Sequence, residues 1–175
     1  AMAVDAYVPE LAPYIEVLAV NGLPYNGLNQ EVLPNGDISY TINLRNPGNE
    51  AVNNGVITIP IPYNASFVSA SAQYFLGTGG SNPIQPYFVN TPPTGEIKWD
   101  IGYVPKPADP TDVLGIFTFT LKATNDCFLL VNQNCNPLIS ITGTASGEGE
   151  NSQNIFYNLK FITGYGQNTC NQEPI

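Results

Sequence analysis

The amino-acid sequence predicts an all-β protein, an antiparallel β-sandwich of about eight short strands. Several segments alternate apolar and polar residues with a period of two, as strands with one buried face do. Sixteen glycines and 16 prolines among 175 residues interrupt the chain often and disfavour long helices. No stretch carries the apolar repeat of an amphipathic helix over three turns. Strands joined by tight turns are therefore the expected architecture.

The predicted strands are separated by turn-forming sequence. In chain order they cover 14–20, 38–45, 55–62, 67–75, 96–102, 114–123, 138–144 and 156–162, with a further short strand at 87–89. The second of them, ISYTINLR, alternates strictly between apolar and polar residues. Pro60 and Pro62 lack the amide hydrogen that a sheet ladder needs, so the third strand should end or lie at an edge there. Trp99 shares a face with Ile97 and Ile101, which makes it the expected core tryptophan.

The chain has the length of one domain. Residues 1–13 contain two prolines and are expected to form an extended linker or lead-in, while residues 14–175 form a single domain. The stretch 146–153, SGEGENSQ, is predicted as an acidic turn between the last two strands. Turns such as Asn46-Pro47-Gly48 favour antiparallel neighbours. Strands of this number and length are typical of an immunoglobulin-like sandwich.

The composition argues against several classes of function. Charged residues make up 11% of the chain, against an ordinary share of about 25%. The net charge of −9 disfavours binding to nucleic acid or to an anionic membrane, because both require a basic surface. Histidine is absent, which removes Ser-His-Asp catalysis and histidine-ligated zinc. No apolar run has the ~20 residues of a membrane span, so direct membrane insertion is not expected.

The three cysteines point to an oxidising, extracellular compartment. A disulfide between Cys127 and Cys135 is expected, and it would close a loop of roughly nine residues worth about 2–3 kcal/mol in the chain-entropy model. Pairing of either residue with Cys170 and three free thiols remain open alternatives. A metal site on these cysteines is disfavoured, because no histidine and no CxxC pair accompanies them.

Acidic loops make calcium the candidate metal, since this ion prefers oxygen ligands. The residues proposed to bind it are Asp109, Asp112, Glu148 and Glu150. They do not have EF-hand spacing, and the alternative is that they are solvated acids that keep the protein soluble. No cofactor is required by any other feature of the sequence.

Aromatic residues beside proline-rich loops form the candidate ligand site. Tyr87, Phe88 and Tyr103 flank or lie in the loops 77–95 and 103–112. Rigid planar side chains on loops can bind a carbohydrate or a peptide at low entropic cost. The alternative is that these rings cap the open part of the sandwich.

Two stretches resemble a known family. They are GDISYTINLRNPGNEAVNNGVITIPIPYNASFVSAS, over 36–71, and EIKWDIGYVP, over 96–105. Their strand, proline-marked step and turn motifs resemble the Ig-like surface-repeat domain of bacterial extracellular proteins. The later GTASGEGENS and the terminal CNQEPI resemble the variant found in very large adhesins and gliding-motility proteins of Bacteroidetes. The chain departs from the tandem pattern of that family, since it contains no internal repeat.

The resemblance implies a non-catalytic module at the cell surface, with a structural or adhesive role. Its partners would be neighbouring domains of the same polypeptide, and a surface glycan or protein is the further candidate. The competing interpretation is a carbohydrate- or peptide-binding module that uses the loops 77–95 and 103–112. Neither interpretation involves an enzyme.

Overall fold

The computed structural model describes residues 7–25, 31–74, 85–92, 94–126, 139, 141–162 and 167–168. Within these residues every regular element is a strand. The strands are β1 Ala12–Val20, β2 Leu23–Pro24, β3 Glu31–Val32, β4 Asp37–Arg45, β5 Val52–Pro60, β6 Ala65–Tyr74, β7 Tyr87–Val89, β8 Glu96–Val104, β9 Gly115–Ala123, β10 Ile141–Gly149, β11 Ile155–Ile162 and β12 Gln167–Asn168. No helix in the described part of the chain has the length and hydropathy needed to cross a bilayer.

The strands form two five-stranded sheets. The first has the order β2-β1-β4-β9-β6, and the second has the order β11-β10-β5-β8-β7. Every pairing in these two sheets is antiparallel, whereas β3 and β12 form a separate parallel pair. The predicted all-β, immunoglobulin-like antiparallel sandwich is confirmed.

The core lies between the two sheets and follows the alternation in the sequence. Trp99 is fully buried, as predicted, and its ring stacks on Phe117 with centroids 5.1 Å apart. Phe117 stacks on Phe119 at 5.5 Å, and Phe119 stacks on Tyr40 at 4.8 Å. These contacts link β8 of the second sheet to β9 and β4 of the first. Aromatic pairs at such distances add to the stabilisation from burial alone.

Strand β10 extends further than the sequence indicates. The turn predicted over 146–153 is wrong in its first half, because the strand continues to Gly149. Gly147 and Gly149 face inward, and a Cβ on Gly147 would collide with Cγ1 of Val52. The two inward glycines therefore let β10 pack tightly in a segment whose glycines and acids had suggested a turn. Glu148 consequently lies in a strand rather than in a turn.

The antiparallel registers define two ends of the sandwich. The upper end contains the start of β1, the loops 46–51 and 105–114, and the turn 150–154, since Ala12 pairs with Arg45 and Val52 pairs with Val104. The lower end contains the ends of β1 and β9, where Asp37 pairs with Lys122. The β3–β12 pair lies toward the lower end, because β3 closely precedes β4 and β11 runs downward before β12. The described chain thus begins at the upper end and finishes toward the lower one.

Candidate functional site

The predicted aromatic site is divided between two faces of the second sheet. Phe88 faces inward from β7 and stacks on Phe67 of β6, with ring centroids 5.0 Å apart and planes 6° apart. Tyr87 lies on the outer face, where its hydroxyl donates a hydrogen bond of 2.8 Å to Oδ2 of Asp100. That hydrogen bond, followed by desolvation and the nearby charges of Asp100 and Glu96, raises the pKa of Tyr87 above its ordinary value.

Tyr103 lies farther along β8, near the upper end. Tyr87 pairs with Lys98, so Tyr103 is displaced by five positions, or about 16 Å at the rise of a β-strand. Tyr87, Phe88 and Tyr103 are partly exposed, at 44%, 38% and 39%. The three rings do not converge on one patch, and ligand binding by them stays a prediction. Residues 77–84 and residue 93 of the first predicted loop lie outside the described residues.

Side chains join the two edge strands β6 and β7. The Gln85 amide accepts a hydrogen bond from the Ala72 nitrogen at 3.0 Å and donates one to the Ala72 oxygen at 3.2 Å. Gly95, with a φ of +86°, allows the Phe88 ring to lie against its backbone, because a Cβ there would collide with that ring. Gln85 and Phe88 therefore both help to close this side of the sandwich, whereas ligand binding by the exposed part of Phe88 stays a prediction.

The predicted calcium-binding acids all lie at the upper end but on separate elements. The Asp109 carboxylate accepts hydrogen bonds from the Thr111 nitrogen at 2.9 Å and the Thr111 hydroxyl at 2.7 Å. The backbone bond, followed by the hydroxyl bond, holds the pKa of Asp109 below its ordinary value. Asp112 follows in the same loop, whereas Glu148 is in β10 and Glu150 is in the turn after it.

A calcium site on these acids stays a prediction. Within the described part of the chain, acidic and cysteine side chains form no group of three or more that could hold a metal ion. Calcium prefers six to eight oxygen ligands, so carboxylates spread over three elements would need water and backbone oxygens to complete a site. Cys127 and Cys135, the predicted disulfide, lie outside the described residues, as does Cys170.

The structure reveals a buried acid that the sequence does not identify. Glu50 is 2% exposed and lies in the upper loop 46–51. Its Oε1 accepts hydrogen bonds from the Asn151 nitrogen at 3.1 Å and from the Ser152 nitrogen and hydroxyl at 3.2 and 3.1 Å. Gly149 makes room for this carboxylate, since a Cβ there would collide with Oε1. Glu50 therefore fastens the β10–β11 turn to the loop between β4 and β5. No local pattern in the sequence marks this burial, because the groups that bind the carboxylate lie about 100 residues farther along the chain.

Asn46 holds the same loop from within. It is fully buried, and its side-chain amide donates hydrogen bonds to the backbone oxygen of Glu50 at 3.0 Å and to the backbone oxygen of Pro105 at 3.2 Å. Its Oδ1 accepts from the Gly48 nitrogen at 3.1 Å. This side chain joins the β4–β5 loop to the end of β8, which fixes the predicted Asn46-Pro47-Gly48 turn in place.

The N-terminal segment crosses the upper end and contacts this loop. The Val8 nitrogen donates to Oδ1 of Asn49 at 2.7 Å, and the Asn49 nitrogen donates to the Val8 oxygen at 3.4 Å. Leu11 is fully buried in the core, and β1 begins directly after it at Ala12. Residues 7–11 of the predicted lead-in are thus packed on the sandwich.

Comparison with known proteins shows likeness in fold alone. No family model matches the sequence, and no curated protein matches it. The major pilin subunit BcpA of Bacillus cereus superposes with a TM-score of 0.53 at 11% identity, over 89% of this chain and 40% of that one. The major pilin SpaD of Corynebacterium diphtheriae superposes with a TM-score of 0.51 at 12% identity, over 86% of this chain and 33% of that one. The chain thus spans well under half of the length of either pilin.

Proposed function

We infer that this chain is a non-catalytic structural module of a bacterial cell-surface protein, which spaces or attaches the domains on either side of it. The observation that carries the proposal is the path of the described chain, which starts with residue 7 at the upper end of the sandwich and finishes with residues 167–168 toward the lower end. Neighbouring domains would then lie at opposite ends, and the nine residues of β4 span about 30 Å between them. The two superposed pilins, which are surface structures, support the same role.

The register of the first sheet suits a module that bears tension. Strand β1 pairs with β4 over eight Cα pairs, from Ala12–Arg45 to Val20–Ile38. Hydrogen bonds of an antiparallel ladder lie perpendicular to the strands. Force applied along β1 therefore loads the whole ladder together instead of opening it one bond at a time. Ile15 and Val17 also pack against the core, so sliding β1 would expose apolar surface.

The adhesive role, the Bacteroidetes variant and the extracellular Cys127–Cys135 disulfide are finer parts of this proposal. They depend on the sequence resemblance and on the cysteine spacing described above. The surface has few charges, with 11% charged residues in the chain, so salt should affect contacts with neighbouring domains little.

Force spectroscopy with two pulling directions tests the structural role. A polyprotein that carries this chain between reference domains is pulled through its two termini, and a matched sample is pulled between the N-terminus and the exposed Ala108 at the upper end. We expect the terminal pull to require at least twice the unfolding force, because it shears the β1–β4 ladder. Equal forces in the two directions would refute a role in bearing tension.

Binding assays test the competing ligand-binding interpretation. Glycan-array or peptide binding that is lost in Tyr87→Ala and Tyr103→Ala, and kept in the matched exposed variant Tyr63→Ala, would favour that interpretation. Tyr63 is a suitable control because it is exposed at 45%, close to Tyr87 and Tyr103. Under the structural proposal, the three variants behave alike.

A further inference from the structure

We propose that residues 7–11 act as a strap that detaches under tension before β1 moves, so that the module extends in two stages. This inference rests on the structural role proposed above. It goes beyond that role by assigning separate mechanical behaviour to the N-terminal segment.

Contacts near both ends hold the strap on the sandwich. Near its start, Val8 exchanges two hydrogen bonds with the single residue Asn49. At its end, the fully buried Leu11 packs beneath β5 and β8, where a Cβ on Gly55 would lie 3.4 Å from Cδ1 of Leu11 and 3.2 Å from Cγ2 of Val104. Leu11 therefore sits between the sheets at the upper end.

The strap lies against the loop 46–51, which we call its seat, and the backbone of the strap fits this loop closely at Gly48. A Cβ on Gly48 would lie 2.6 Å from the Val8 oxygen and 2.9 Å from the Glu10 nitrogen, so only glycine admits the strap. Asn46 holds Gly48 in position through its own hydrogen bond. The seat should keep its shape when the strap leaves, because the hydrogen bonds from the Asn46 amide to the backbone oxygens of Glu50 and Pro105 do not involve residues 7–11.

The strap and β1 resist force differently. Tension on the N-terminus reaches the Val8 anchor first and the Leu11 anchor second, so the two contacts break in sequence. The ladder of β1 engages eight Cα pairs together. Tyr7 and Val8 are already exposed, at 49% and 58%, so the apolar surface that detachment uncovers comes mainly from the two buried residues Pro9 and Leu11, against a β1 strand that also packs Ile15, Val17 and Val20 on the core. The strap is therefore the weaker element and should yield first.

Detachment has a definite length and a definite effect on the core. Five residues at about 3.5 Å each can add at most about 17 Å to the end-to-end distance. Removal of Leu11 opens the space beside Val104 and Val52 at the upper end, while both sheets stay paired. The module would thus lengthen reversibly without unfolding.

Low-force magnetic-tweezer measurements on the full chain test the proposal. We expect a small reversible step of no more than about 17 Å before the large unfolding step. Leu11→Ala should lower the force of the small step at least twofold and leave the large step unchanged. Leu33→Ala is the matched control, since Leu33 is 57% exposed and distant from the strap, and it should change neither step.

The outcomes separate this inference from the proposed function. A strong unfolding step with no smaller step before it would overturn the strap and leave the structural role intact. A weak unfolding step in the terminal direction would refute the structural role, whatever the strap does. An equal reduction of both steps by Leu11→Ala would show that strap and β1 form one unit, which overturns the inference.

Native-state hydrogen exchange gives a second test that needs no applied force. We expect the Val8 amide to exchange at least tenfold faster than the ladder amides of β1, through an opening that leaves β1 paired. Leu11→Ala should speed exchange at Val8 further without changing β1. Exchange of Val8 and β1 at one common rate would contradict the two-stage behaviour.

Discussion

Glu50 provides the sharpest test of how the upper end is held together. Replacing it with alanine removes a buried carboxylate that accepts three hydrogen bonds from Asn151 and Ser152. A hydrogen bond to a charged group contributes about 1.5–3 kcal/mol when it is buried. Asn151 is exposed and Ser152 is half-buried, so water replaces part of each lost bond. The other carboxylate oxygen, Oε2, is buried without a hydrogen-bond partner, so its removal recovers part of the cost of desolvation. We therefore assign about 1 kcal/mol to each bond, or roughly 3 kcal/mol for the substitution.

Thermal and urea denaturation measure this loss. For a chain of this length, roughly 3 kcal/mol corresponds to a fall in melting temperature of about 6–12 °C. Glu150→Ala is the matched control, because Glu150 is an exposed acid in the adjacent turn, and it should change stability by less than about 0.5 kcal/mol. Glu50→Gln keeps the acceptor oxygen and should fall between the two. If Glu50→Ala proves as stable as Glu150→Ala, the fastening role assigned to this carboxylate is wrong.

Three further predictions follow from the glycines and the acids. Gly95→Ala should destabilise the fold by about 2–3 kcal/mol in denaturation assays, because it combines strain at positive φ with displacement of Phe88. Gly102→Ala is the control: its φ is also positive, but the new Cβ meets no atom within 4 Å, so it should destabilise the fold by only about 1 kcal/mol. Thr111→Val should raise the pKa of Asp109 toward its ordinary value in an NMR titration. Since the folded-state pKa is depressed, the stabilisation from Asp109 is present above the ordinary aspartate pKa and is lost as the pH falls through the folded value. Calcium should leave the melting temperature unchanged if the acids are solvated, and a rise of several degrees that Asp109→Asn abolishes would establish a site.

Sequence reasoning succeeds where a strand is long enough to show its period. The alternation in 38–45 and 96–102 predicts β4 and β8 nearly to their bounds, and it places Trp99 in the core. The strands β2, β3 and β12 are missed because two residues carry no measurable period. The end of β10 is missed for a different reason. Its inward positions are glycines, whose role becomes visible only when the atoms that would meet their Cβ are known.

The functional surface is harder to predict than the fold, because it depends on contacts between distant parts of the chain. Leu11 is the one large apolar residue between Pro9 and Pro13, and nothing in the local sequence indicates that it is buried between the sheets at the upper end. Phe88 looks like an available ring in the sequence, yet its stacking on Phe67 depends on how β6 and β7 meet. Glu50 resembles any loop acid until the β10–β11 turn folds over it. Chemistry at such positions is decided by tertiary packing.

The Gln85 side chain has a consequence for molecules displayed side by side at high density. An edge strand offers free backbone donors and acceptors, which neighbouring molecules can use to begin fibril growth. Gln85 occupies both the donor and the acceptor of Ala72 on β6, so an incoming strand would first have to displace it. An uncharged amide thus protects this edge strand from pairing with another chain, a role that lysine side chains often have in other proteins. This chain has only five basic residues that could take that role.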